Sequence, residues 1–337
     1  MKRAKKWFSM VALLLIVALL AVGCGSSSTG GTSQDTGVKK LKVALLLPGP
    51  INDNGWDAVA YKGLKQAETE LGVETAYREN VSASDMETAF RSFAQQKYDV
   101  IIGHGFQFGD AAKAVAKDFP NTKFVITSSN ISQAPNLASM NVLSHQVGYL
   151  GGVYAALATK TKKIAFIGGQ EIPPILDGAK GFAEGAKSVD PSVEVMSANT
   201  GSFDDVAKAK ETAKAFIAKG ADVVLGDANQ AGLGVIDAAK GAGVYAIGYG
   251  DDQSNVAPET VIASGLQIYP VAITVMVKTI QDGKFEPKFY PMGIKEGAVG
   301  IALNKGLLSK LPAGIEEKIN QVVDDFKSGK LTVGIPQ

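Results

Sequence analysis

An α/β chain folded into two facing lobes, each built on a doubly wound parallel sheet, is predicted by three features of the 337-residue sequence. Beyond Leu41, short apolar runs without polar alternation recur between longer stretches of helical length, as strands covered on both faces require. The series restarts after a helix over residues 147–159, giving two similar halves of roughly 105 to 120 residues, a structural repeat without a short sequence repeat. About 300 residues are also too many for one comfortable core, so two domains are expected.

The elements follow in order. In the first half KVALLL precedes a helix over 56–71, VETAYR one over 84–96, DVIIGHG one over 110–118, and KFVITSS a loop. In the second half KKIAFIGG precedes a helix over 175–188, VEVMSAN one over 204–218, and ADVVLGD one over 231–241. VYAIGYG and TVIASGL close the series before a helix over 271–281. The expected boundaries are an N-terminal lobe over 41–145, a C-terminal lobe over 146–265, and segments over 266–337 that cross back and complete both lobes.

The first two dozen residues read as an export signal. Residues 1–6 carry four basic side chains, Met10 to Val22 are apolar and uncharged, and Ala21-Val22-Gly23-Cys24 follows as a lipobox-like end. The apolar run is shorter than the about 20 residues needed to cross a bilayer core. A signal peptide over 1–23 is therefore expected, with Cys24, the single cysteine, as acyl acceptor. Residues 24–40, rich in Gly, Ser and Thr, form a lipidated flexible tether. The expected location is the extracytoplasmic face of the cell membrane. Charge is balanced, with 34 Lys plus Arg against 33 Asp plus Glu, which argues against a nucleic-acid surface.

Ligands of open parallel sheets sit beyond the carboxyl ends of the strands. The residues that follow the strands are NDNGW, GHGFQFGD and TSSN in the first half, and NTGSFDD, GDANQAG and GYGDDQ in the second. Polar groups and rings thus collect at strand ends in both lobes, as in a cleft that binds a flat polar molecule by stacking and edge recognition. Trp56, Phe106, Phe108 and Phe203 are the candidate rings, and from both lobes together they make a sandwich around a planar ligand.

Enzymatic readings find little support. Only His104 and His145 are available, and no Gly-x-Ser-x-Gly, His-Glu-x-x-His or Cys-His arrangement accompanies them. His104 reads as a cleft-wall or backbone-bonded side chain, and His145 as a hinge or structural residue. Asp204-Asp205 and Asp251-Asp252 are adjacent pairs that do not face each other on a helix or strand, and helix capping explains at least one of the first pair. Gly103-x-Gly105 and Gly232-x-Gly234 lack the full spacing of a dinucleotide or P-loop motif. No catalysis, cofactor or metal is expected.

Several ordered blocks now carry a resemblance: Ile51-Asn52-Asp53-Asn54-Gly55-Trp56, Gly105-Phe106 with Asp110, Gly148-Tyr149-Leu150-Gly151-Gly152, Gly178-x-x-Gly181-Phe182-x-x-Gly185, Thr200-Gly201-Ser202-Phe203-Asp204-Asp205, and Asp252-Gln253. Across residues 40–335 the chain resembles the basic membrane protein family of lipoproteins, the purine nucleoside receptor-like branch of substrate-binding proteins for ABC importers. The resemblance implies a type I periplasmic-binding-protein fold with an interlobe ligand cleft, a purine nucleoside or free base as ligand, an ABC permease as partner, and a monomer. It also implies that Asp53 and Asp110 recognise the base and that Phe203 stacks on it. Trp56 supplies an opposing ring on the stacking argument above, and Asn52, Asn54, Phe106, Asp227, Asn229, Asp251 and Gln267 complete the expected set. Two departures stand out. Gly250 occupies a position where nucleoside-binding members commonly carry an acid, with Asp251 one residue along, and Gln267 replaces a sugar-directed lysine. Another small polar solute such as a sugar, or a surface receptor not coupled to transport, are the alternative readings.

Overall fold

The computed structural model describes residues 40–53 and 55–333. The expected signal peptide, Cys24, the tether up to residue 39 and Asn54 lie outside the described residues. β1 (Lys42–Leu46) shows why the first apolar run lacks alternation. Val43, Leu45 and Leu47 pack into one core while Ala44 and Leu46 pack into another on the opposite face. Each strand residue from Val43 on is thus enclosed, whichever way it points.

The first sheet has the order β11-β5-β4-β3-β1-β2. It adds β2 (Glu74–Arg78), β3 (Val100–Gly103), β4 (Lys123–Thr127), β5 (Leu137–Val142) and β11 (Phe289–Met292) to β1, all parallel. α1 (Trp56–Leu71) and α8 (Tyr269–Gln281) cover one face; α2 (Met86–Gln95) and α3 (Gly109–Ala116) cover the other. α1 ends where Gly72 takes a left-handed conformation, φ 66°, and its N–H closes back on the Glu68 carbonyl.

The second sheet has the order β12-β10-β9-β8-β6-β7. Its strands are β6 (Lys163–Gly168), β7 (Glu194–Asn199), β8 (Val223–Asp227), β9 (Tyr245–Gly250), β10 (Val261–Gln267) and β12 (Val299–Leu303), the last antiparallel to β10. α4 (Ser144–Ala158), α5 (Pro173–Val189) and α9 (Ile315–Ser328) lie on one face. α6 (Val206–Ala218) and α7 (Gly232–Ala242) lie on the other. α4 is buried nearly all round, so it carries no polar face.

The chain passes between the lobes three times: from β5 into α4, from β10 into α8, and from β11 into β12. The crossings bond to one another. The Gln146 side-chain oxygen accepts from Ile294 N at 2.8 Å, and Ile268 N donates to the Ala298 carbonyl at 2.8 Å. Two strands of the first sheet, β5 and β11, and the edge strand β12 add to the strands that the apolar runs predict. Ser139 and Asn141 in β5 and Pro291 in β11 interrupt the apolar pattern there.

Candidate functional site

Register sets the site. β1 and β3 end together, with Leu46 opposite Gly103, so the loops after them emerge side by side. In the second sheet Gly168 is opposite both Asn199 and Asp227, which brings the ends of β6, β7 and β8 together. The Phe203 carbonyl accepts from Ala231 N at 2.8 Å, tying the loops after β7 and β8 to each other.

Trp56 is fixed by a continuous set of hydrogen bonds. Gly105 N–H donates to Thr127 Oγ1 at 2.9 Å, and Thr127 Oγ1 lies 2.9 Å from His104 Nδ1. His104 Nε2 lies 3.2 Å from the Trp56 carbonyl. A carbonyl can only accept, so Nε2 carries the proton and Nδ1 accepts from the threonine hydroxyl. Burial depresses the His104 pKa to about 3, so the ring stays neutral. It stacks on the indole with centroids 3.7 Å apart and planes 30° apart. Trp56 Nε1 in turn donates to the Tyr269 hydroxyl at 3.1 Å, and that hydroxyl is 3.0 Å from Ser128 Oγ. The indole remains half-buried, held on one face by His104 and at its edge by Tyr269.

The lobes meet at this point. Trp56 N donates to Asn229 Oδ1 at 3.3 Å. The approach depends on Gly55, where a Cβ would stand 1.8 Å from that oxygen. A second bridge joins Lys62 Nζ on α1 to Asp251 Oδ2 at 2.8 Å. A cavity of about 400 Å³, bordered by Asn52, Gly55, Tyr61, Lys62 and Asp251, opens beside it; small-molecule sites span about 300–1,000 Å³. A smaller one of about 180 Å³ lies between Val59, Gly250, Asp251, Gln267 and Pro270.

The remaining expected residues have diverse surroundings. Asp53 gives its carboxylate to the start of α1: Oδ1 accepts from Gly55 N and Ala58 N at 2.9 and 3.0 Å, Oδ2 from Asp57 N at 3.0 Å. These are orphan amides of a helix N-terminus, and one of the roughly four acceptor sites of a carboxylate is left over. The Asp110 side chain is 99% exposed, 3.6 Å from Lys113 on its own helix, and Phe106 is 46% exposed. The Phe203 ring lies on Gly169, where a Cβ would stand 2.4 Å from it. Gln267 Nε2 donates to Ser144 Oγ at 3.2 Å, next to the lobe crossings. Phe108 is not a cleft ring: it is fully buried and meets Phe90 edge-on at 6.0 Å. The helical turn after β3 points it inward, which the strand-end rule does not foresee.

The acid pairs resolve as helix and turn chemistry. Asp205 Oδ1 caps α6, accepting from Lys208 N at 2.9 Å, and Asp252 Oδ1 accepts from Ser254 N at 2.9 Å. His145 is buried with Nε2 2.8 Å from Glu184. Two carboxyls are different. Asp57, on α1, has an Oδ1 without a hydrogen-bond partner, and burial, with Asp53 and Glu79 adding to it, pushes its pKa up to about 7. Asp227, at the end of β8, is 6% exposed; burial pushes it up to about 8, against the lowering effect of the Tyr249 hydroxyl. That hydroxyl is buried beside Asp227 and Ser144 without meeting either in a well-formed hydrogen bond.

Comparison with known proteins fits this architecture. The family model of the Bmp family, described as ABC transporter substrate-binding protein PnrA-like, matches residues 40–330. The chain belongs to this family. It is 31% identical to the ABC transporter nucleoside-binding protein BmpA of Lactococcus lactis subsp. cremoris, over 98% of this chain and 99% of that protein. It is 28% identical to the transcriptional activator protein med of Bacillus subtilis, over 95% and 98% of the two chains. Among solved structures, a solute-binding protein of an ABC transporter system from Aeropyrum pernix K1 superposes with a TM-score of 0.75 at 24% identity, covering 88% of this chain and 94% of that one. A transcriptional activator of the comK gene from Bacillus halodurans gives 0.76 at 24% identity, covering 87% and 100%. These likenesses establish the periplasmic-binding-protein fold.

The Bmp family is one of substrate-binding proteins, so the interlobe cleft is the place to look for a ligand. Tyr269 and Lys62 join the cleft without having been singled out in the sequence, and Thr127, Ser128 and Tyr249, inside the TSSN and GYGDDQ blocks, join it without having been given a role there. Tyr269 had a readable signal, a Tyr-Pro start to the helix after the last apolar strand. Thr127, Ser128 and Tyr249 depend on which strand ends share an edge, and Lys62, inside α1, on how the two lobes meet.

Proposed function

We propose that this protein is a lipid-anchored extracytoplasmic solute-binding protein that carries a purine-type ligand, a nucleoside or a free base, to an ABC importer. The observation that carries the ligand class is the indole of Trp56. It is held at the meeting line of the lobes by His104 and Tyr269, where the Trp56 N–H meets Asn229 of the second lobe; Asp227 and Tyr249, neighbours in that lobe, are the proposed opposing wall. A fixed half-open ring facing acceptors and donors suits a planar heterocycle, which stacks on one and is read along its edge by the others. The name of the Lactococcus lactis relative, a nucleoside-binding protein, supports the same class. Cys24 is the proposed lipid attachment and membrane tether.

The test is mass spectrometry of small molecules released by denaturing freshly purified protein. A purine nucleoside or base is the expected species; release of a hexose or pentose in stoichiometric amount would overturn the ligand class. A second reading, a ligand-responsive regulator without a permease, is favoured by the names of the Bacillus subtilis and Bacillus halodurans relatives. Genes for an ATPase and permeases beside this one would decide for transport.

A further inference from the structure

Asp227 is a buried acid that no described lysine, arginine or histidine pairs with; burial and the Tyr249 hydroxyl account for its behaviour. Across the lobe boundary Tyr269 feels its charge, but the Tyr269 hydroxyl is already engaged by Trp56 Nε1 and Ser128 Oγ. Gly178 on α5 borders the acid, and a Cβ there would stand 3.1 Å from Asp227 Oδ2 and 3.5 Å from the Tyr249 hydroxyl. Glycine at that position therefore puts no side chain over the carboxyl. A structural role predicts the opposite: buried acids that serve the fold are paired with a cation or several amides, as even the half-buried Asp53 is.

We propose that Asp227, with Tyr249 beside it, is the specificity-determining acceptor of the cleft and requires a ligand that presents N–H or O–H donors to it. The proposal rests on the reading of this cleft as the site of a purine-type ligand. Once ionised, the Asp227 carboxyl only accepts, and ligand N–H or O–H groups that bond to it favour that ionised form; in a low-dielectric wall an unmatched acceptor on the ligand is then rejected more strongly than in water. The donor can come from the base edge, as an amino or ring N–H, or from the ribose hydroxyls. The two sources are separable by deleting donors one at a time.

The experiment is calorimetric titration, at pH 8.5 where the unliganded Asp227 carboxyl is largely ionised, of the purified protein and its Asp227→Asn variant. The ligands are guanosine against inosine, adenosine against the 6-unsubstituted purine riboside, each nucleoside against its 2′,3′-dideoxy form, and the free bases. Asp227→Asn is expected to weaken the best ligand at least tenfold while melting in one cooperative transition. One donor deletion should weaken binding to the original protein about as much while costing the variant little, and that pair identifies the contact. Equal affinity of both proteins for every ligand, or losses that simply multiply for every deletion, would overturn the proposal and leave the purine reading intact. If no purine binds, the purine reading falls, and the same cycle run with deoxy analogues of whichever sugar binds decides the role of Asp227; if no solute binds, both fall. Should Asp227→Asn fail to fold, Tyr249→Phe provides the cycle on the neighbouring hydroxyl, with a loss at the same ligand donor expected and unchanged affinities contradicting it.

Discussion

Burial moves two acids of this cleft region into the neutral range, Asp57 to about 7 and Asp227 to about 8. For Asp227 the ordinary value is near 4, so the folded form holds its proton over a range in which the unfolded chain has released it. Its favourable contribution is complete below about pH 4, declines as pH rises, and is gone above about pH 8, a change of order a few kcal/mol at ~1.4 kcal/mol per unit. In ligand-free protein, chemical denaturation at pH 5 and pH 8.5 should therefore show Asp227→Asn gaining stability relative to the original chain as pH rises. A difference independent of pH would mean that the carboxyl is solvated or paired. At this scale the sequence was a partial guide. It marked Asp53 by its place at a strand end; the same place is a helix start, whose amides take three of the carboxylate's acceptor sites and leave one over. It marked Phe108 by the same rule, and a single helical turn rotated that ring into the core.

The elements show a constraint that the sequence displays without explaining. Gly148 and Gly152 on α4 face Gly178 and Phe182 on α5, and a Cβ at Gly152 would stand 2.0 Å from the Phe182 carbonyl oxygen. Gly181 and Gly185 return the contact, at 2.0 and 2.1 Å from the His145 and Tyr149 carbonyl oxygens. The helices touch backbone to backbone, so no rotamer change relieves an added methyl. Gly152→Ala is expected to cost about 1–3 kcal/mol or more in urea unfolding. Gly241→Ala, at a position with nothing within 4 Å, should be neutral or stabilise by about 0.5–1 kcal/mol. Equal effects of the two would contradict the close packing. Strands buried on both faces were the most legible elements, because nothing polar interrupts them. β11, with Pro291 among its four residues, and β12, an edge strand, lack that signal. α9 carries its own helical period, with Ile315, Ile319 and Phe326 buried, which the strand-to-helix alternation does not weigh.

For the whole molecule, two lobes and a cleft at their strand ends were readable from the repeated alternation of apolar runs and helices. Which groups face one another was not, because that depends on sheet order and on the three crossings. Trp56 meets Asn229, 173 residues along the chain, and Tyr269, 213 residues along. The Lys62–Asp251 bridge is an exposed pair, worth about 0–1 kcal/mol; it adds little stability to the meeting of the lobes. Trp7, within the proposed signal peptide, is the one other indole, so in the proposed mature protein Trp56 reports on its own cleft. Tryptophan emission, excited at 295 nm and followed during titration of ligand-stripped mature protein with purine nucleosides and bases, tests the stacking claim most directly. Saturable quenching by at least one purine, lost in Asn229→Ala or Phe203→Ala at the same concentrations, is the predicted result; a flat signal with every purine, alongside a saturable response to a sugar, would contradict it.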